Sequence, residues 1–208
     1  MKKEFYKKMW YFALPITIQL AITSGLSTID SVMVSKLGVD AIASVGIANK
    51  YSQFIIVILQ GFASGATIFC AQFWGQKNYF GIKKTIILVC KLIFIFSIIF
   101  SLFSILFTSK ILLLFSSDVV VVNLATPFLR LLAISYIFTG LSMTFSVVLK
   151  TIGEVRVPTL ISVLTLLINT FLNWLLIYGN FSFPMMGIQG AGLATLLARI
   201  VQTFLLFL

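Results

Sequence analysis

Histidine is absent from the 208 residues, and the acids number only five: Glu4, Asp30, Asp40, Asp118 and Glu154. With no histidine, and with Cys70 and Cys90 each lying in an apolar run, neither a zinc site nor a disulfide framework is indicated. Two buried small hydrophobes are the plainer reading of both cysteines. No stretch has the spacing of a nucleophile–base pair, a phosphate loop or a metal cluster. The sequence therefore argues against an enzyme, and no cofactor is expected. Charge is scarce altogether, at 10% of residues, where globular domains carry about a quarter.

What fills the chain instead is hydrocarbon. Hydrophobic residues make up 60%, phenylalanine alone contributes 21, and the mean hydropathy is +1.13. A soluble core of this size cannot hide so much apolar surface, so the solvent must be lipid and the first partner is the bilayer. The net charge of +10 would raise the question of nucleic acid in a soluble protein. Here the basic residues cluster between apolar runs, which fits a positive-inside membrane protein and no nucleic-acid partner.

The basic N-terminus, MKKEFYKKMW, precedes an apolar run longer than that of a cleaved signal peptide, and more runs follow. It reads as the approach to a first membrane helix. A span needs about 20 mostly apolar residues. The runs divide into six, at about residues 11–34, 44–75, 85–109, 123–149, 157–178 and 188–208. The last two are separated by YGNFSFPMMG (178–187), which is rich in turn residues. The fold class is thus an all-α integral membrane protein with six transmembrane helices. Nine Lys or Arg flank one side (Lys2, Lys3, Lys7, Lys8, Lys77, Lys83, Lys84, Lys150, Arg156) and two the other (Lys36, Lys110). That bias puts the N-terminus in the cytoplasm of a multi-pass protein. Within spans, Lys50, Lys91 and Arg130 can snorkel to an interface. Arg199 lies eleven residues into the last span, about 16 Å at helical rise, and needs a partner or a wet cavity. The chain closes on QTFLLFL without a polar flank, so a fragment or a half-length protein is expected.

Asp30 is the one acid within a span, and 9–35 contains no other charge. A carboxylate at a bilayer centre costs about 2.5–3.5 kcal/mol, so such a residue turns to a protein interior or an aqueous path. Gln19, Thr23, Ser27 and Asp30 share one helix face. The bland alternative is that Asp30 lies near the outer interface and simply hydrates. In the fifth span, Ser162, Thr165, Asn169 and Asn173 form a matching stripe. Its two amides present carbonyls that can coordinate a cation or accept from a protonated acid, or they are helix–helix glue. In the second span Gly61 and Gly65 form a GxxxG, a pattern that lets two backbones approach, and Pro15 can bend the first helix.

Six segments in register now resemble one family: ALPI (13–16), TIDSVMVSKLGVDAIASVGIA (28–48), GFASGATIFCAQFWGQKN (61–78), KTIGEVRVP (150–158), INTFLNWLLIYG (168–179) and GIQGAGLAT (187–195). Together they are similar to the N-terminal half of MATE proteins, the multidrug and toxic compound extrusion exporters of the MOP superfamily. The resemblance implies one six-helix lobe of a two-lobe transporter. The C-terminal lobe, or a second copy of this one, is then a missing partner. It implies export of organic, often cationic compounds in exchange for H⁺ or Na⁺ from the inner membrane. It also implies a coupling site at Asp30 and Asn169, with Asn173 where relatives carry an Asp, and with Thr195 from the last span. One carboxylate in place of two neutralises less charge and tilts the reading toward a proton, although Na⁺ at Asp30 stays open. Two alternatives remain. One is a flippase for lipid-linked saccharide or peptidoglycan precursors, thinly supported by Arg199, and the other is a non-transporting membrane scaffold subunit.

Overall fold

The computed structural model describes residues 2–208; the side chains of residues 2–5, 7, 8, 12, 23, 26 and 27 lie outside the described set. Among the described residues the chain is helical almost throughout. In order come α1 (Lys2–Val34), a 3-10 turn (Ser35–Leu37), α2 (Val39–Gly75), α3 (Tyr79–Leu106), α4 (Thr108–Leu113), α5 (Val119–Thr151), α6 (Arg156–Tyr178) and α7 (Ile188–Phe207). Five of these, α2, α3, α5, α6 and α7, are long and apolar enough to cross a membrane. α1 is 33 residues long, but its apolar stretch among the described residues is the shorter Met9–Ile22.

The breaks between helices follow local chemistry. Asn78 Oδ1 accepts from the Gly81 N–H and caps α3. Asp118 Oδ1 accepts from the N–H groups of Val120 and Val121, so this loop acid is a helix cap. α6 ends on Gly179 at φ +70°, a left-handed position suited to glycine. Two differences from the sequence reading stand out. α2 begins at Val39, five residues before the expected start, because Asp40 and Lys36 fall at its rim and not in a long loop. The segment after the third span is not a plain loop: α4 folds back and buries Thr108, Ile111 and Leu112.

Cross-helix contacts fix the direction of each helix. Along α1 and α6, Pro15 O accepts from Thr159, Gln19 donates to Ser162, and Met33 O accepts from Tyr178. Both sets of numbers rise together, so these helices run parallel. α2 and α5 are parallel too, through Ser44 Oγ to Val121 O and Tyr136 OH to Ser52 Oγ. α2 and α3 are antiparallel, since Tyr51 OH meets Ser104 Oγ while Phe62 stacks on Phe96. These directions are those of a chain crossing back and forth.

α5 is the hub, packing against α2, α3 and α7, with Phe128, Leu129, Ala133 and Tyr136 fully or nearly buried. The outside is apolar: Ile95, Ile99, Leu102 and Phe103 on α3 and Leu160, Leu164, Leu167 and Phe171 on α6 are exposed. Inside, many hydroxyls bond the carbonyl three or four residues back on their own helix, as Thr108, Thr139 and Ser142 do. Lys50, Lys91 and Arg130 are exposed, whereas Arg199 is buried. Cys70 and Cys90 are free thiols.

The GxxxG expectation is corrected. A Cβ at Gly61 or Gly65 would meet nothing within 4 Å, so neither is a point of close backbone approach within this lobe. The close approach occurs instead at Gly190, where a Cβ would lie 2.7 Å from the Leu176 backbone. Gly190→Ala is therefore expected to destabilise the α6–α7 contact by about 1–3 kcal/mol. Gly46→Ala, with nothing within 4 Å, should be close to neutral. Thermal midpoints in detergent measure both.

Candidate functional site

Asp30 lies one turn before the end of α1, about 6 Å from Val34 along the axis. Proximity to the helix end does not hydrate it: it is 3% exposed. Its carboxylate is held from two other helices. Oδ1 accepts from Asn173 Nδ2 of α6 at 2.6 Å, and Oδ2 lies 3.2 Å from Thr195 Oγ1 of α7. Asn173 Nδ2 also donates to Asn169 Oδ1, and Asn169 Nδ2 donates to Thr195 Oγ1, each at 3.2 Å. The four side chains close one ring of hydrogen bonds at the junction of α1, α6 and α7.

Helical spacing explains the ring. Asn169 and Asn173 stand one turn apart on one face of α6, and both are fully buried. Thr195 is within reach of a second acceptor, the Ala191 carbonyl at 3.1 Å. Its single proton serves either that carbonyl or Asp30. Asn173 Oδ1 is buried with no hydrogen-bond partner. An orphaned buried acceptor costs about 1–3 kcal/mol. Beside a carboxylate, it is the kind of oxygen that a small hard cation or a protonated acid satisfies. The donor set is all oxygen, from Asp30, Asn169, Asn173 and Thr195. It fits Na⁺ or H⁺, while no group of three or more His, Cys, Asp or Glu occurs among the described residues.

The remaining stripe residues separate from this ring. Gln19 Nε2 donates to Ser162 Oγ at 3.3 Å, eleven residues before Asp30 on α1, which makes that pair a tie between α1 and α6. Thr165 is buried but donates to the Ile161 carbonyl of its own helix at 2.7 Å. The side chains of Thr23 and Ser27 lie outside the described set. Arg199 donates from Nη1 to Gln202 Oε1 at 2.9 Å and shares a cavity wall with Asp30. Both residues line a cavity of about 50 Å³ that also touches Asn49, Ser52 and Tyr136.

Sequence reasoning missed four participants. Gln202 was signalled by its place one turn after Arg199. Tyr178, which bonds the Met33 carbonyl at 2.6 Å, had no signal beyond its place at the helix end. Tyr136 and Ser52 pair from different helices, and nothing local in the sequence joins them.

A bundle of membrane-length helices with a single buried acid among the described residues, held at a three-helix junction, defines a multi-pass membrane protein with a polar interior. The chain belongs to the MatE family, whose model matches residues 15–175. That is a family of membrane transporters and not of enzymes. It is 26% identical over 208 residues to "Probable multidrug resistance protein YoeA" of Bacillus subtilis, covering 100% of this chain and 45% of that protein. It is 27% identical to "Probable multidrug resistance protein NorM" of Thermotoga maritima, covering 95% and 43%. The chain thus spans about half the length of the curated relatives it matches. Among solved structures it superposes on a MATE protein in the bent conformation with a TM-score of 0.89 at 21% identity, over 97% of this chain and 44% of that one. An outward-facing multidrug resistance MATE transporter of the MOP superfamily gives a TM-score of 0.86 at 21% identity, over 96% and 44%. These structures share the fold of one lobe.

Asn173→Leu removes a donor to a buried carboxylate and is expected to cost about 2 kcal/mol. Thr165→Val, which removes a hydroxyl bonded only to its own helix, should change stability by about 0.6 kcal/mol or less. Thermal unfolding of the two variants side by side tests whether the stripe is one feature or two.

Proposed function

We propose that the chain supplies one lobe of an ion-coupled exporter of organic compounds, with Asp30 as its coupling carboxylate. The observation that carries the reading is the orphaned Asn173 Oδ1 beside Asp30, in a ring built from three helices. A second lobe, or a second copy of this chain, completes the transporter around the substrate. The basic flanks favour a cytoplasmic N-terminus in the inner membrane.

The chemistry follows from the ring. While Asp30 is ionised, Asn173 Nδ2 and the Thr195 hydroxyl both turn to it. When H⁺ or Na⁺ neutralises Asp30, those donors lose most of their attraction. The Thr195 proton then goes to the Ala191 carbonyl, 3.1 Å away, and Asn173 can present Oδ1 in place of Nδ2. The seat of α1 against α6 and α7 changes with the charge of one group. An ion shifts inward- against outward-open states only by its differential affinity for them, and this ring supplies the difference.

In the completed transporter reconstituted in liposomes, Asp30→Asn is expected to abolish uptake driven by an imposed pH or Na⁺ gradient, while equilibrium substrate binding persists. Imposing each gradient alone identifies the ion. Full gradient-driven transport by Asp30→Asn sinks the reading.

A further inference from the structure

A second, larger cavity, of about 460 Å³, lies between α1, α2, α5 and α7. Ile16, Leu20, Ile68 and Met143 give it apolar walls. Among the described residues its charged lining is Lys150 and Arg199, with no Asp or Glu. Thr139, Ser142, Ser146 and Lys150 follow one face of α5, so the cavity runs about 16 Å from the Arg199 end to the Lys150 end. Arg199 sits in the wall shared with the small Asp30 cavity.

We propose that this cavity binds an amphiphile with an anionic head, a carboxylate, sulfonate or phosphate, the head on the Arg199 guanidinium and the apolar body along α1 and α2. The proposal rests on the export reading above and gives its substrate a charge. Arg199 is 8% exposed, and of its five N–H donors one is engaged by Gln202. A planar guanidinium with free donors in a low-dielectric wall matches a bidentate oxyanion. The charges among the described residues disfavour the opposite sign. Asp30 offsets at most one of the two positive charges, so a cationic compound meets net repulsion here. This lobe thus departs from the organic cations that the family resemblance implies.

The test uses the completed transporter in phosphatidylcholine nanodiscs and three dansyl probes of one shape, ending in a carboxylate, a neutral amide or a quaternary ammonium. Fluorescence anisotropy should show the carboxylate binding roughly tenfold or more tighter than the ammonium. Arg199→Gln should remove that advantage and leave the amide probe unchanged, which also shows that the variant is folded. Arg199→Lys should restore part of it, and Lys150→Gln should weaken it less than Arg199→Gln. Dihexanoyl phosphatidic acid as competitor separates the sources. Displacement at lower concentration than the free dansyl acid assigns a lipid headgroup, and the reverse assigns a soluble anion; either outcome upholds the site. Preference for the ammonium, no binding by any probe, or carboxylate binding indifferent to Arg199→Gln overturns it. No gradient is involved, so a failure of coupled transport with anion preference intact strikes only the export reading.

Discussion

One buried carboxylate organises this lobe. In lipid the hydrophobic effect does not press helices together, because hydrocarbon outside is as apolar as leucine inside. Association rests on close packing and on polar links, and an ionised acid is the most demanding polar group. Asp30 is tolerated because α6 and α7 bring donors to both of its oxygens. The same bonds seat α1. Beyond this ring, α1 is tied to α6 by the Pro15 carbonyl, Gln19 and the Met33 carbonyl and by the cation–π contact of Arg156 on Tyr11, and the 3-10 turn that follows it by Lys36 on Tyr178.

Those ties divide the bundle into unequal parts. α5 sits among α2, α3 and α7 with a nearly continuous buried face, and small or aromatic residues fill its contacts. α1 has no such seam; it leans mainly on α6. A helix held by a few hydrogen bonds can be reseated when one of them changes, whereas one held by interdigitated side chains cannot. Among the long helices α1, which carries Asp30, has the least packing among the described residues, and on the proposed reading that pairing lets a small chemical event move a helix.

Much of this was legible in the sequence. Asp30 was marked by isolation in an apolar run, and Asn169 and Asn173 by one-turn spacing. Family resemblance drew in Thr195, whose surroundings in GLAT are otherwise featureless. The α5 hub was not legible, since its apolar face looks like any lipid-facing helix. Nor was the role of Gly61 and Gly65, because a GxxxG states that backbones can approach and not that they do. The short α4 escaped because its apolar residues merge with the span before it. The polar stripe misled in part: periodicity places side chains on a face but does not say which neighbour satisfies each. Thr165 turned to its own helix while Asn173 turned to Asp30.

If Asp30 takes the coupling ion and Arg199 the substrate's anionic head, as proposed above, the two cavities impose a constraint on coupling. A cation at Asp30 and an anion at Arg199 attract each other, so electrostatics alone favours their joint occupancy. Direct competition, which suffices when substrate and coupling ion share a sign and a site, is unavailable to this lobe. On that proposal exchange is enforced by shape: the arrangement of α1 that accepts the ion differs from the one that leaves the larger cavity open. Gln19 and Leu20 of α1 line that cavity eleven and ten residues before Asp30, so a change in the seat of α1 reaches both sites through one rigid helix. The polar ties along α1 are then what sets the sign of the coupling.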